Sequence, residues 1–324
     1  MGLSNMQVFN SYLMPLLMEI FPQEIDKFNQ ASNGTIVLDS ANFDGNYLEQ
    51  SFYSALFASQ RRVDRYAANG AASATNLAQD KHLAVKVAGG FGPIIFEPSQ
   101  LGWLRKPTQE GLTVAANQFA SALMADQLNT AILSLVAAIE NNVSMVNDVS
   151  GTGQAGQGDI NTGLAAFGDR SGSISALIMT GVQYHTLIGQ AIENSNNLYE
   201  IGGVAVRDGR AFGQSRPIIT TDAPALREAG TPNKQKILGL TPMAATVSES
   251  SDVITNVETK NGKQRIETSF QADYDFAVKL KGYSWDAANG GASPDDTDLG
   301  TGSNWDKVVS NDKDTAGIMV IGQE

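Results

Sequence analysis

The sequence contains no cysteine, which excludes disulfides, thiolate metal ligands and cysteine nucleophiles and suits a cytosolic origin. Only two histidines occur, His82 and His185, too few for a histidine-built metal set, and nothing near His185 in sequence completes a catalytic triad. A structural role is expected for it. Charged residues make up only 17% of the chain and apolar residues 42%, the balance of an ordered globular protein. Positive charge is the scarcer sign, and the formal net charge of −12 argues against a surface-wide nucleic-acid clamp. The first cation is Lys27, so the N-terminal stretch lacks the basic flank of a secretory signal. It resembles a myristoylation start, but Met6 stands where that motif needs Ser or Thr. No run of apolar residues reaches membrane-spanning length, so a soluble protein that meets no membrane is expected.

What the chain does have is length and pattern. Its 324 residues can bury a full core and suggest about two domains. Between about Leu112 and Val143, Phe119, Leu123, Leu128, Ile132, Leu135, Val136, Ile139 and Val143 recur at the spacing of one helical face. No Pro or Gly interrupts that interval, Thr108 offers a polar start after Pro107, and the chain turns polar at Asn147-Asp148. Such a helix is ~46 Å long. Far downstream, Phe270, Ala272, Tyr274, Phe276, Val278 and Leu280 alternate with Gln271, Asp273, Asp275, Ala277, Lys279 and Lys281. That period of two predicts one long half-buried strand with its apolar face on the long helix. It closes a hairpin with Val253 to Thr259 through the turn signal Lys260-Asn261-Gly262-Lys263.

The flanking segments differ in character. In the first 50 residues Leu13, Leu17, Ile20 or Phe21, Ile25 and Phe28 trace a helical stripe broken by Pro15 and Pro22. The stripe suits an arm laid on a neighbour or a helix folded back on its own domain. From 53 to 107, Arg61, Arg62, Arg65, Lys81, Lys86, Arg105 and Lys106 stand against Asp64, Asp80 and Glu97, a local balance of +4. His82 to Ala88 and Ile94 to Glu97 read as two strands joined by Gly89-Gly90-Phe91-Gly92-Pro93, a hairpin with a loop of several residues. The charges are either a solvated face or a basic projection that seeks acidic surface.

After the long helix, Gly151-Thr152-Gly153-Gln154-Ala155-Gly156 matches the dinucleotide fingerprint in letters. Its context does not match: a helix precedes it, and the next strand ends in Thr180-Gly181 rather than an acidic residue. A loop is expected, with no cofactor. A short helix (Ile160 to Phe167), a buried strand (Ser175 to Thr180), a helix (Val182 to Ile192) and strands at Val204 to Val206 and Arg216 to Thr220 outline a compact α/β subdomain. The end is loop-like from Asp286 to Trp305, with a last strand at Ile318 to Ile321. Asp295, Asp296 and Asp298 lack the spacing and closing Glu of a helix-loop-helix calcium site, so no metal is expected. From Asp273 onward ten acidic residues face four lysines, a balance of −6.

An apolar arm, a basic projection, one long helix, an α/β subdomain and a long β-hairpin follow one another in an order that resembles the major capsid proteins of tailed bacteriophages. Their fold is the Hong Kong 97-type or Johnson fold, an α+β architecture. Local phrasing carries the same resemblance: Gln60-Arg61-Arg62-Val63, Val85-Lys86-Val87 before Gly92-Pro93, and Ala176-Leu177-Ile178-Met179 running into Tyr184-His185-Thr186-Leu187. Lys281-Gly282-Tyr283-Ser284-Trp285-Asp286 with Ser303-Asn304-Trp305-Asp306 looks like the closing part of coat proteins of short-tailed phages. The resemblance implies an N-terminal arm (1–52), an E-loop (53–107), a P-domain with spine helix and long hairpin (108–146 and 236–284), an A-domain (147–235), and a C-terminal loop and strand (285–324). It implies a non-enzymatic subunit that tiles as hexamers and pentamers into an icosahedral shell around double-stranded DNA, in contact with that DNA non-specifically. A portal protein and a decoration protein are further partners of such shells, which assemble in the host cytoplasm. In one branch an E-loop lysine is cross-linked to a neighbour's asparagine; Lys81 and Lys86 lie in the right region, but no motif selects either. The arm begins near Met1, which implies a separate scaffolding protein or, alternatively, a scaffolding segment already removed. The subunit-contact residues expected are Arg61, Arg62, Arg65, Lys81 and Lys86 in the projection and Leu13, Leu17 and Phe21 in the arm. The alternatives are an encapsulin-type nanocompartment shell and a nucleotide-binding enzyme.

Overall fold

The structure, a computed structural model, describes residues 29, 32–39, 46–54, 62–66, 68, 70–71, 78–96, 108–193, 216–249 and 254–324. Two sheets and one long helix organise them. The helix, α1, runs Thr108–Asn141. It forms where the sequence offers Ala, Leu and Gln without a Gly or Pro after Gly111. Beyond it the chain tightens into a short 3-10 turn at Val143–Met145. Phe119, Leu123, Ile132, Leu135, Val136 and Ile139 are buried, as their spacing predicts. Val143, placed last on that stripe, lies past the helix end and is exposed.

The first sheet has eight strands. Across its centre the order is β2 (Tyr47–Ser54), β3 (Ala78–Phe96), β11 (Glu267–Leu280), β9 (Ala245–Glu249) and β1 (Ile36–Asp39). Next to β9 along the same flank of β11 lies β10 (Ile254–Lys260), and β12 (Tyr283–Trp285) with β13 (Trp305–Lys307) closes one end. The second sheet has six strands. Its order is β4 (Val146–Asp148), β14 (Gly317–Gln323), β8 (Lys234–Leu240), β5 (Ala176–Met179) and β6 (Ile218–Thr220), with β7 (Arg227–Glu228) beside β8. Helices α2 (Gln157–Ala165) and α3 (Gly181–Glu193) belong to this half, and a single turn, α4 (Asp296–Leu299), lies against α1. Because α1 touches β9 and β11 of one sheet and β14 of the other, nearly all of its residues from Thr130 to Ile139 are buried.

The alternating strand behaves as its pattern predicts. Ala272, Phe276, Val278 and Leu280 are buried, Tyr274 is half-buried, and the intervening Gln271 and Asp273 are exposed. Ala277 departs from the alternation and is buried, directly opposite Lys86 on β3. The hairpin turn lies where Asn261-Gly262 places it, but the last pair is Lys260 with Glu267, so the loop holds more residues than a two-residue turn.

Three expectations are corrected. The hairpin expected between His82 and Glu97 is one continuous 19-residue strand, β3. Gly92-Pro93 makes a bulge rather than a turn: Phe91 pairs with Ala272 and Ile94 with Phe270, so β3 carries one extra residue there. Gly92 takes a positive φ of 98°, and Gly89 leaves room for the Tyr274 ring, which a Cβ would meet at 2.4 Å. The hairpin of the basic region is instead β2 with β3, joined through residues 55–77. Second, Gln118–Asn141 is long and apolar enough to cross a membrane, contrary to the expectation that no such run exists; most of it is buried inside the protein, as in a core helix. Third, a strand does precede the glycine motif: β4 leads into Gly151, and α2 opens just after Gly156. The strand expected at Val204 to Val206 lies outside the described residues.

The C-terminal segment, which no pattern placed, is central. β14 runs between β4, to which it is parallel, and β8, to which it is antiparallel. The two tryptophan motifs come together as well, Trp285 opposite Trp305 with ring centroids 4.9 Å apart.

Candidate functional site

The described part of the basic projection is a β2–β3 hairpin with the exposed segment Arg62-Val63-Asp64-Arg65-Tyr66 between its strands. Tyr66 is 93% exposed and Val63 68%. Arg62 and Arg65 are exposed and form no ion pair among the described residues. Arg61, Leu13, Leu17 and Phe21 lie outside the described residues.

Lys81 and Lys86, the remaining contact candidates, already have partners within the chain. Lys81 Nζ lies 3.1 Å from Glu49 on β2, with both side chains more than half exposed, so that pair adds ~0–1 kcal/mol. Lys86 Nζ lies 2.6 Å from Asp275 across β3 and β11, on the sheet face away from α1. Both side chains are mostly covered, which screens that pair less than the first.

His82 fixes the base of the hairpin. Its Nε2 lies 2.8 Å from the Leu280 carbonyl and 2.6 Å from that of Tyr283, so the N–H serves both acceptors at the β11–β12 turn. The Leu83 N–H donates to Ser284 Oγ at 2.9 Å beside it. Burial pulls the imidazole pKa below its ordinary value, against an opposite pull from the two carbonyls; Lys279 adds to the lowering. This residue was legible in sequence only as the polar start of a strand. His185 is exposed on α3, edge-on to Tyr184 at 5.7 Å.

The site chemistry that the sequence raised and set aside can be placed. At the glycine motif, Asp159 Oδ2 accepts the Gly156 N–H at 2.8 Å, so a carboxylate occupies the helix terminus where a phosphate would have to sit. Gly322 lets β14 close on this loop, since a Cβ there would meet the Ala155 backbone nitrogen at 2.3 Å. Asp295 accepts the Thr297 and Asp298 N–H groups at 2.8 and 2.9 Å, a helix cap rather than a cation cage. Among the described residues no group of three or more His, Asp or Glu side chains is arranged to hold a metal.

The described residues thus hold a full core, a β2–β3 hairpin joined to it through β11, and exposed arginine and tyrosine at the hairpin's connection. Comparison with known proteins gives the fold and the family. The capsid asymmetric unit of cyanophage Pam1 has a TM-score of 0.53 to this chain at 12% identity, over 86% of this chain and 85% of that one, a likeness of fold. A mycobacteriophage, Adephagia, gives 0.48 at 13% identity over 88% and 87%. The acidic stable capsid structure of Helicobacter pylori bacteriophage KHP30 gives 0.48 at 10% over 90% and 88%. No curated protein matches the sequence. The family model described as major capsid protein 13-like matches residues 5–319. With the Hong Kong 97-type fold in place and that match spanning nearly its whole length, the chain belongs to the major capsid protein 13-like family, as a structural subunit that self-assembles into the capsid shell of a phage virion.

Proposed function

We propose that the subunit tiles as hexamers and pentamers into an icosahedral shell that encloses double-stranded DNA of a short-tailed phage. In this reading residues 1–52 are the arm and 53–107 the E-loop. The P-domain comprises 108–146 and 236–284, the A-domain 147–235, and 285–324 completes both sheets through β13 and β14. Leu13, Leu17 and Phe21 lay the arm on a neighbour, and Arg61, Arg62 and Arg65 bring the projection onto acidic surface of an adjacent subunit. Lys81 and Lys86 act from within, by tying β3 to β2 and β11. A separate scaffolding protein guides closure in the host cytoplasm, and a portal protein takes one vertex. The outer face leaves room for a decoration protein. Contact with DNA is non-specific and weak, in keeping with a net charge of −12.

The observation that carries this reading is the exposed Arg62–Tyr66 segment between the strands of the β2–β3 hairpin. Negative-stain microscopy of the expressed protein, alone and with its scaffolding protein, tests it. Closed shells with five-fold vertices are expected, and DNA in particles purified from phage. A strictly monomeric species at high concentration overturns the tiling. An enzyme cargo in place of DNA would favour the nanocompartment alternative.

A further inference from the structure

Four Asn-Gly pairs occur in the sequence, at 33–34, 69–70, 261–262 and 289–290. In such a pair the side-chain amide can react with the next backbone nitrogen, because glycine has no Cβ to shield that nitrogen or to limit its rotation. The fold treats the pairs differently. Gly34 donates its N–H to the Asn29 carbonyl at 3.1 Å, and Asn33 Nδ2 donates to the Ser175 carbonyl. Gly290 donates to the Asp286 carbonyl at 2.8 Å, and Asn289 Nδ2 donates to Asp286 Oδ2. Gly290 also lies so close to Trp285 that a Cβ would meet the indole at 2.1 Å. In both pairs the backbone nitrogen and the amide are each tied to another group, and a bonded N–H gives up its proton to water slowly. The pair 261–262 is the opposite case. It lies in the loop beyond the last β10–β11 pair, Lys260 with Glu267, and every residue from Glu258 to Ile266 is exposed. Neither the Gly262 N–H nor the Asn261 amide has a hydrogen-bond partner among the described residues. Gly262 takes a φ of 105°, and the space beside its Cα is open. Asn69 of the remaining pair lies outside the described residues.

We propose that Asn261 is a self-modification site, converted to aspartate and isoaspartate through the nitrogen of Gly262, while the fold spares Asn33 and Asn289. The Gly262 N–H loses its proton to solvent base, and the nitrogen attacks Asn261 Cγ. As the N–Cγ bond forms the Cγ–Nδ2 bond breaks, and Nδ2 takes a proton from water and leaves as ammonia. Water then opens the five-membered imide at either carbonyl. One opening restores the main chain with an aspartate at 261. The other leaves a β-linked isoaspartate, with the side-chain methylene inserted into the backbone. Water is the only co-reactant, and nothing is oxidised or reduced. The loop supplies what the step needs: a nitrogen open to water, a glycine free to turn, and an amide that nothing holds. Each event makes a chain of net charge −12 one charge more negative, beyond the point where Lys260 and Glu267 end the ladder. The change falls on exposed loop and leaves the core alone, so a subunit carries the mark in proportion to the time this tip has stood in water. The proposal does not depend on how the chain assembles.

Peptide mapping by mass spectrometry tests it, on the full-length unassembled subunit held at mildly alkaline pH. The peptide that contains residue 261 is expected to split into two products of equal mass, aspartate and isoaspartate. It should do so about tenfold or more faster than the peptides containing 33 and 289, since each of those pairs must first give up two hydrogen bonds. The rate should rise with pH, because the attacking nitrogen must be deprotonated. The same chain unfolded in urea is expected to convert all three positions at similar rates. Asn261→Gln, which would have to close a six-membered ring, is expected to abolish the change there and, the site being exposed, to leave the melting temperature unchanged. An Asn261 that stays intact while the urea-treated chain converts overturns the proposal. So does conversion of Asn33 or Asn289 at a matching rate in the folded subunit. A lead for Asn261 that persists undiminished in urea means that neighbouring sequence rather than the fold selects it, and overturns the proposal as well.

Discussion

Replacing Phe276 by Ala tests whether the long strand and α1 share one core. Phe276 is fully buried near the middle of β11, where Val87 of β3 pairs with it on one side and Glu249 of β9 on the other. Its ring is stacked with that of Tyr274, centroids 6.4 Å apart and planes 17° from parallel. A side chain of this kind buries ~150 Å² or more, which at ~25 cal/mol/Å² corresponds to ~4 kcal/mol. The measured range for removing a buried Phe, cavity included, is ~3–5 kcal/mol. The surroundings leave little freedom to collapse: Val278 and Leu280 on the same face and Val87 opposite are all buried already, in one core with Leu123 and Ile132 of α1. The loss is therefore expected within that range. Urea denaturation of the unassembled subunit, followed by far-UV circular dichroism, measures it without the added stability of the shell. A loss below ~1 kcal/mol would refute the reasoning, because no exposed or loosely packed site is compatible with the contacts described.

Tyr274→Phe removes only the hydroxyl that donates to Asp126 at 2.7 Å, so it is expected to cost ~1–2 kcal/mol in the same assay, well below the loss at Phe276. Gly322→Ala places a methyl group against the Ala155 backbone and is expected to cost ~1–3 kcal/mol by overpacking, read as a fall in thermal midpoint. Lys86→Met is expected to destabilise more than Lys81→Met, whose exposed pair contributes ~0–1 kcal/mol; equal effects in chemical denaturation would contradict the difference in burial. The pH dependence has a definite sign at His82. Its folded pKa lies below 6.5 because burial disfavours the charged ring, so the unfolded chain takes up the proton first on acidification. Its contribution is fully present above pH 6.5 and is lost as pH falls through the folded value. Denaturation midpoints of the unassembled subunit from pH 8 to 5 should fall for the parent and fall less for His82→Gln. Asp148, Asp312 and Glu324, whose pKa values are depressed by hydrogen bonds and nearby cations, lose their contributions only further down, below the ordinary carboxylate range.

The helix and the long strand were legible because each is governed by one partner surface: α1 repeats Leu123, Ile132, Val136 and Ile139 towards a core, and β11 alternates Tyr274, Phe276 and Val278 towards α1. Gly89 to Pro93 was misleading because glycine and proline mark both turns and bulges. Only the pairing partner decides between them, and here β11 continues alongside β3 on both sides of Gly92. The place of β14 was not legible at all. A short apolar run such as Ile318 to Ile321 says that a strand is buried, not that β4 and β8 flank it from distant parts of the chain. At the candidate contact surface, the excess of positive charge around Arg62 was visible in composition. That Lys81 and Lys86 are engaged by Glu49 and Asp275 was not, because both partners come from other strands. His82 carried no signal because its acceptors are backbone carbonyls, which every residue has.

The central position of β14 has a consequence for synthesis. β4 leaves the ribosome with residue Asp148, but the strand it pairs with begins only at Gly317. At translation rates of roughly 5–20 residues per second that interval takes on the order of ten seconds or longer. Until then β4 and β8 have no strand between them, and the half of α1 that faces β14 has no cover. The nascent subunit is therefore held incomplete while its early hairpin is already outside, and the last strand to emerge acts as a timer. A chain that is still being made cannot present a finished sheet to its neighbours, so subunits become competent for the shell one whole molecule at a time.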